Sequence, residues 1–132
     1  MASYAANAQN MAAGDAVMWT RTIEHGNCNV QHVDGSDVIA LRGSGCCCRP
    51  NVYSVNAHVV ITAPDATPVQ FQITVDGAAV PGSIIAFPAV AAGTILSEDL
   101  SFSIPADCCC NRLRLVSVTP ANLASAYIRV KE

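Results

Sequence analysis

The strongest constraint on the fold of this chain is the alternation of apolar and polar side chains in two segments. In residues 69–75, VQFQITV, every second side chain is apolar and the positions between carry Gln or Thr. In residues 52–62, VYSVNAHVVIT, the alternate positions from Tyr53 to Ile61 are all apolar. Successive side chains of a β-strand point to opposite faces, so both segments predict strands that bury one face against a core.

Turn residues separate further short segments of the same kind. Asp34-Gly35 and Asp76-Gly77 offer the positive φ that a tight hairpin needs, and Pro81 predicts an edge or bulge because it has no N–H to donate. The other predicted strands cover residues 15–22, 29–33, 37–41, 83–87, 94–104, 112–118 and 124–130. Short strands at regular spacing, without helical periodicity, predict an all-β fold, an antiparallel jelly-roll β-sandwich.

The chain of 132 residues is long enough for one domain with its own core. Residues 1–13, which are small and polar, predict an N-terminal arm rather than a packed strand, and residues 14–132 predict the jelly-roll domain. The predicted core consists of Tyr53, Val55, Ala57, Val59, Ile61, Phe71, Ile73, Val75, Ile104, Leu113, Leu115 and Ile128.

Composition indicates a partner for the surface. Apolar residues make up 52% of the chain and charged residues 13%, about half the usual charged fraction. So few charges favour burial of part of the surface against other copies of the chain. The net charge of −3 and the scattered basic residues argue against a nucleic-acid partner. No apolar run approaches the roughly 20 residues that a membrane-spanning helix requires.

Two runs of three consecutive cysteines stand out, and a seventh cysteine, Cys28, lies outside them. The runs are Cys46, Cys47 and Cys48, and Cys108, Cys109 and Cys110. Disulfides, within the chain or between subunits, are one interpretation, and unbridged cysteines that pack as small apolar side chains are another. A metal site is the third and weakest interpretation, because adjacent side chains of a strand diverge and zinc sites favour paired ligands such as C-x₂-C.

No catalytic, metal or cofactor site is predicted, and the chain is expected not to be an enzyme. The neighbours Glu98 and Asp99 face opposite ways on a strand, which argues against an acid–base pair. Cys28 and His32 would stand roughly 13 Å apart on a strand, too far for proton transfer. His25, His32 and His58 are all expected to be ordinary strand or surface histidines.

Several strings resemble a known family. The hairpin VNAHVVITAPDATPVQFQITVDGAAVPGS and the later stretch LSFSIPADCCCNRLRLVSV resemble the trimeric jelly rolls related to tumour necrosis factor and the complement globular head. The opening residues GDAVMWT and the string GNCNVQHVDGSDVIALRGSG are similar to structural proteins encoded by phages of gut bacteria. Within this family, bacteria and phages use such domains on spore surfaces and in virion fibre or decoration proteins. The resemblance implies a homotrimer.

These observations lead to one functional hypothesis and one alternative. The hypothesis is a non-enzymatic virion surface protein, a capsid decoration or head-fibre protein of a bacteriophage, made in the host cytoplasm and bound to the major capsid protein or another shell protein. A start without the features of a secretory signal peptide fits release by lysis. The predicted tether to the shell consists of Ala2, Ser3, Tyr4, Asn7 and Gln9. The alternative is a bacterial spore- or cell-surface interaction module, in which Trp19 and Tyr4 could stack on a glycan, although a lone tryptophan is more often a core residue.

Overall fold

The structure, a computed structural model, describes residues 1–26, 29–42, 51–106 and 111–131. Throughout these ranges the regular elements are β-strands. In chain order they are β1 (Ala2–Ala6), β2 (Gln9–Met11), β3 (Arg21–Glu24), β4 (Val30–Gln31), β5 (Ile39–Leu41), β6 (Asn51–Thr62), β7 (Val69–Val75), β8 (Ala78–Phe87), β9 (Ile95–Ala106), β10 (Asn111–Ser117) and β11 (Ala121–Lys131).

The strands form two antiparallel sheets that pack face to face. Sheet A has the order β3-β1-β11-β6-β9, with β2 also paired to β11, and sheet B has the order β4-β5-β10-β7-β8. The longest pairing joins β6 to β9, from Asn51 opposite Ala106 to Thr62 opposite Ile95. The predicted all-β jelly-roll sandwich is therefore confirmed.

The predicted core also lies where the alternation places it. All of the predicted core residues are buried except Val75, which is partly buried and packs against the same cluster. On β6 the alternate positions from Tyr53 to Ile61 face sheet B with at most 1% exposure. Period-two burial of this kind follows from a sheet with one covered face.

The first residues of the chain correct the predicted arm. Ala2–Ala6 forms β1, which lies between β3 and β11 with Ala2 opposite Val130 and Ala6 opposite Ala126. Ala2 and Tyr4 are 0% and 2% exposed, so the strand belongs to the packed sandwich. The sequence ASYAA gave no strand signal because alanine and serine mark neither face, and burial here is decided by the neighbouring strands.

The predicted strand over residues 15–22 is wrong for most of its length. Only Arg21–Glu24 is a regular strand, while Ala16 bridges to Val116 of sheet B and the Thr20 amide donates to the Ala5 carbonyl of sheet A. The segment therefore crosses from one sheet to the other. Val17 and Trp19 are buried between the sheets, whereas Met18 is 50% exposed.

The predicted turns are confirmed. β4 and β5 pair across the loop that contains Gly35, whose φ is 90°. Between β7 and β8, Asp76 and Gly77 adopt φ values of 52° and 83°, and the register of the two strands shifts between Gln72 and Thr74. This shift accommodates the proline-containing start of β8.

Candidate assembly surface

The edge of the sandwich where β8 and β9 meet is apolar and exposed. Residues 78–106 carry two charged side chains, Glu98 and Asp99. The apolar side chains at this edge are Ile84 and Ile95, 48% and 70% exposed, and Val80, Leu96, Leu100 and Phe102, which are partly buried. These apolar residues are called the apolar edge. Exposed apolar side chains grouped on one side of a domain are a candidate surface for contact with another molecule.

The backbone of β8 opposes the addition of a further strand at this edge. Pro81 has no N–H to donate, and Gly82 has a φ of 76°, which departs from extended geometry. The Val80 carbonyl already accepts hydrogen bonds from the Ser83 hydroxyl at 2.6 Å and from Gln72 Nε2 at 3.0 Å. A partner at β8 would therefore contact side chains rather than extend sheet B.

The outer face of sheet A carries polar side chains in cross-strand rows. One row runs from Tyr127 on β11 through His58 on β6 to Asp99 on β9, and His58 Nδ1 lies 2.6 Å from Asp99 Oδ1. In the next row, Asn56 Nδ2 donates to Ser101 Oγ at 2.7 Å. These contacts fix the side chains on β6 and β9, so the face presents a preorganised polar surface.

Charge is distributed unevenly over the strands of sheet A. Arg129 and Lys131 are exposed on β11, in the middle of sheet A, whereas Glu98 and Asp99 are exposed on the edge strand β9. The acidic groups thus border the apolar edge, and the basic groups lie two strands away from β9. A contact between the edge of one copy and the middle of sheet A of another would bring opposite charges together.

Tyr127 is the aromatic side chain of the polar rows, and its hydroxyl is electrostatically perturbed. A hydrogen bond with Ser3 and a second from Arg129 lower the pKa of Tyr127, because both stabilise the phenolate. The Ser3 hydroxyl, which has one hydrogen to share between its partners, also lies 3.1 Å from Glu24 Oε2, so three strands contribute to this group. Sequence patterns gave no sign of it, since its members come from β1, β3 and β11.

The residues predicted as a capsid tether have different surroundings. Ala2, Ser3 and Tyr4 are buried in β1, so a shell protein has no access to their side chains. Asn7 is exposed between β1 and β2. Gln9 is partly buried, and its amide group is bonded to the Met18 backbone, with Nε2 donating to O at 2.7 Å and Oε1 accepting from N at 3.1 Å. Of the predicted tether, Asn7 is the side chain that is open to a partner.

The aromatic residues considered for glycan stacking are part of the interior. Trp19 is 0% exposed and Tyr4 is 2% exposed, so neither ring offers a face to a sugar. Tyr4 instead lies against His32, with ring centroids 4.7 Å apart. The prediction that Trp19 and Tyr4 could stack on a glycan is therefore wrong.

All seven cysteines lie outside the described residues, so the disulfide, packing and metal interpretations stay predictions. The described residues on either side of the two runs pair in the sheets. In sheet A, Asn51, after the first run, lies opposite Ala106, before the second. In sheet B, Leu41, before the first run, lies opposite Asn111, after the second. Elsewhere, the described ranges contain no group of three or more His, Cys, Asp or Glu side chains that could hold a metal ion.

The histidine–aspartate contact lacks the further partners that catalysis would need. His58 and Asp99 pair through Nδ1, and across the described ranges no hydroxyl is hydrogen-bonded to the other ring nitrogen of His58. Glu98 lies opposite Val59 and Asp99 opposite His58, so the two carboxylates face opposite ways, as predicted.

The part of the chain that the structure describes also contains no helix long and apolar enough to cross a membrane.

Comparison with solved structures places this architecture among known jelly rolls. Murine APRIL superposes with a TM-score of 0.65 at 11% identity, over 99% of this chain and 98% of that one. The globular domain of zebrafish complement 1qA gives 0.59 at 10% identity, over 96% and 92%. The PRD1 vertex protein P5, a phage protein, gives 0.59 at 11% identity, over 96% and 91%. Identities this low show the shared fold alone.

No family model matches the sequence, and no curated protein matches it. The superpositions on complement 1qA and APRIL are therefore the basis for the comparison, and they show that the fold is that of the tumour necrosis factor and complement globular-head domains.

Proposed function

We propose that this chain is a non-enzymatic structural protein of a bacteriophage virion surface, a capsid decoration or head-fibre protein, that assembles as a homotrimer through the apolar edge. The observation that carries self-association is the exposure of Ile84 and Ile95 within a stretch almost free of charge. A monomer would leave this surface in water, whereas a copy of the same chain can cover it.

The distribution of charge favours a contact between unlike surfaces. The apolar edge with Glu98 and Asp99 would pack against the middle of sheet A of the next copy, where Arg129 and Lys131 lie. Such a contact uses two different patches of each copy. Repeating it produces a closed ring when the rotation that relates neighbouring copies divides a full turn into equal parts. A ring of three agrees with the trimeric family that the sequence resembles.

The assignment to a virion rests on two further supports. The fold is shared with a vertex protein of the phage PRD1. The sequence also resembles phage-encoded structural proteins. In the assembled trimer the exposed residue Asn7 stays available to contact a shell protein, which keeps a tethering role for the N-terminal region. The major capsid protein is the expected partner.

Self-association is tested by mass in solution. The wild-type protein, with a chain mass of 13.7 kDa, should sediment at three times this value, about 41 kDa, at micromolar concentration. Ile95→Glu should sediment as a monomer, because burying the new carboxylate would cost several kcal/mol. Val33→Glu is the matched control: Val33 is 76% exposed, and it follows β4, at the opposite edge of sheet B from β8. A wild-type monomer, or trimeric Ile95→Glu, would contradict the proposal.

The location is tested separately by immunogold labelling of a lysate in which the chain is produced. Label on purified capsids is expected, and Asn7→Asp should weaken it without changing the mass of the trimer. Label confined to spores or cell envelopes would support the alternative of a surface interaction module. Label on neither would overturn both.

A further inference from the structure

An open cavity of about 480 Å³ lies between β2 and the segment that crosses from one sheet to the other. The Gln9 side chain spans the gap between them: its Nε2 donates to the Met18 oxygen at 2.7 Å, and its Oε1 accepts from the Met18 amide at 3.1 Å. A side-chain amide thus takes the place that a backbone partner has in a regular strand pair. The crossing segment is therefore held further from β2 than a paired strand would be, and the space between them stays open.

Both walls of this cavity are tied to the sheets. On one side, Gln9–Met11 pairs with β11 in sheet A. On the other side, residues 14–17 lie along the end of β10 in sheet B, and the Gly14 amide donates to the Ser117 oxygen at 2.7 Å. A cavity whose walls are already fixed costs a ligand little free energy for ordering them.

The polar lining of the cavity consists of two carboxylates and an amide, from Asp15, Asp37 and Asn10. Asp15 Oδ2 accepts from the Ala12 amide at 2.9 Å, and Asp37 Oδ2 accepts from Arg114 Nε at 3.2 Å. Each carboxylate is thereby oriented through Oδ2, which leaves Oδ1 as the acceptor for a ligand. Asn10 is exposed and offers both donors and an acceptor.

Met18 supplies the apolar part of the lining. Its side chain is 50% exposed, although Gln9 fixes its backbone. Methionine is a flexible apolar side chain that adapts to irregular surfaces. A sugar ring has matching features, because its hydroxyl groups exchange hydrogen bonds with carboxylates and amides while its C–H groups form an apolar face. The volume of the cavity also lies within the range of small-molecule sites, about 300–1,000 Å³.

The same lining disfavours other classes of ligand. Asp15 and Asp37 would repel an anion, and among the described residues that line the cavity none is basic. A wholly apolar ligand would take water from the two carboxylates without replacing its hydrogen bonds, which is costly. A neutral molecule with many hydroxyl groups meets neither obstacle.

We propose that this cavity binds a neutral saccharide unit of a glycan. Hydroxyl groups of the sugar donate to the carboxylates of Asp15 and Asp37 and exchange hydrogen bonds with Asn10, and Met18 covers a C–H face of the ring. These residues are different from those of the apolar edge. The site therefore adds a binding activity to the chain that neither self-association nor attachment to a shell requires.

The proposal is tested with the full chain on an array of neutral hexose and N-acetylhexosamine oligosaccharides, printed beside their sialylated and sulfated forms. Neutral oligosaccharides should bind, and the acidic forms should not. Asn10→Ala and Met18→Ala should each weaken binding of the tightest neutral oligosaccharide about tenfold, as expected for one lost contact. Asn7→Ala and Val33→Ala are the matched controls, since both positions are exposed and neither lines the cavity, and they should bind like the wild type.

Methyl spectra of the methionine-labelled wild-type protein give a measurement that needs no change of sequence. The same neutral oligosaccharide should shift the Met18 methyl signal, whereas the signal of Met1, which is 54% exposed and does not line the cavity, should stay in place. An unshifted Met18 signal at about 10 mM oligosaccharide, a preference for the acidic forms, or binding that survives both cavity variants would overturn the proposal. None of these results depends on whether the chain is trimeric or part of a virion.

Discussion

Replacing Tyr4 by alanine distinguishes a packed N-terminal strand from a free arm. Tyr4 is 2% exposed, lies between sheet neighbours on β3 and β11, and contacts the His32 ring. Truncating a buried aromatic side chain to alanine costs about 3–5 kcal/mol, because apolar contacts are lost and a cavity remains. We therefore expect Tyr4→Ala to lower the free energy of unfolding by that amount.

The corresponding change in melting temperature follows from the size of the domain. An unfolding entropy of about 2.1 cal/mol/K per residue over 132 residues amounts to about 0.28 kcal/mol/K. A loss of 3–5 kcal/mol then lowers Tm by about 11–18 °C. Differential scanning calorimetry of both proteins at one fixed pH measures this directly.

Asn7→Ala is the matched control for this prediction. Asn7 is exposed three residues further along the same segment, and exposed substitutions change stability by about 0.5 kcal/mol or less. A free arm would make both variants neutral. If Tyr4→Ala melts within about 2 °C of the wild type, the packing of β1 described above is refuted. The same contrast shows why a tether is better tested at Asn7 than by deleting the N-terminal residues.

Four further outcomes are expected. Because hydrogen bonds with Ser3 and Arg129 lower the pKa of Tyr127, its phenol should ionise below the ordinary value of 10.0 in a spectrophotometric titration, and Arg129→Gln should move the midpoint upward. Burial raises the pKa of Tyr4, so the neutral phenol makes its full contribution to the free energy of unfolding below about pH 10, and this contribution is lost as the pH rises further. In denaturant unfolding at high pH, the free energy of unfolding should therefore fall less for Tyr4→Phe than for the wild type. Gly82→Ala places a side chain at a φ of 76°, which costs about 1–2 kcal/mol and should lower Tm by about 4–7 °C. If disulfides join the two cysteine runs, reductant should lower Tm by several degrees while the trimer persists. Seven free thiols together with an unchanged Tm would assign the cysteines to packing. Unfolding by a chelator would assign them to metal binding.

Sequence alone predicted the strands whose own side chains report burial. On β6 and β7 the alternation of Val, Ile and Phe with polar residues marks the covered face directly, and the predicted core there is correct. The turns at Gly35 and Asp76-Gly77 could be located because positive φ has a strong residue preference. These features depend on neighbours within a few positions of the chain.

The errors arise where distant parts of the chain decide the structure. Ala2 and Tyr4 become interior because β3 and β11 close on both sides of β1, and no local pattern signals that event. Trp19 lies in a segment that crosses between the sheets, so the short alternation around it predicts a regular strand that the structure does not contain. The contacts of His32 are similar, because only the folded chain brings the Trp19 and Val38 carbonyls to its ring.

The apolar edge combines both kinds of information. Its lack of charge can be seen in residues 78–106, but the topology is needed to show that β8 and β9 are edge strands of different sheets that meet along one side. A contact that pairs one patch with a different patch either closes into a ring or continues as a filament. Pro81 and the occupied Val80 carbonyl remove strand addition, the usual route to filaments, from β8. With strand addition disfavoured at β8, a partner there contacts side chains, and a side-chain contact between unlike patches is one that can close into a small ring.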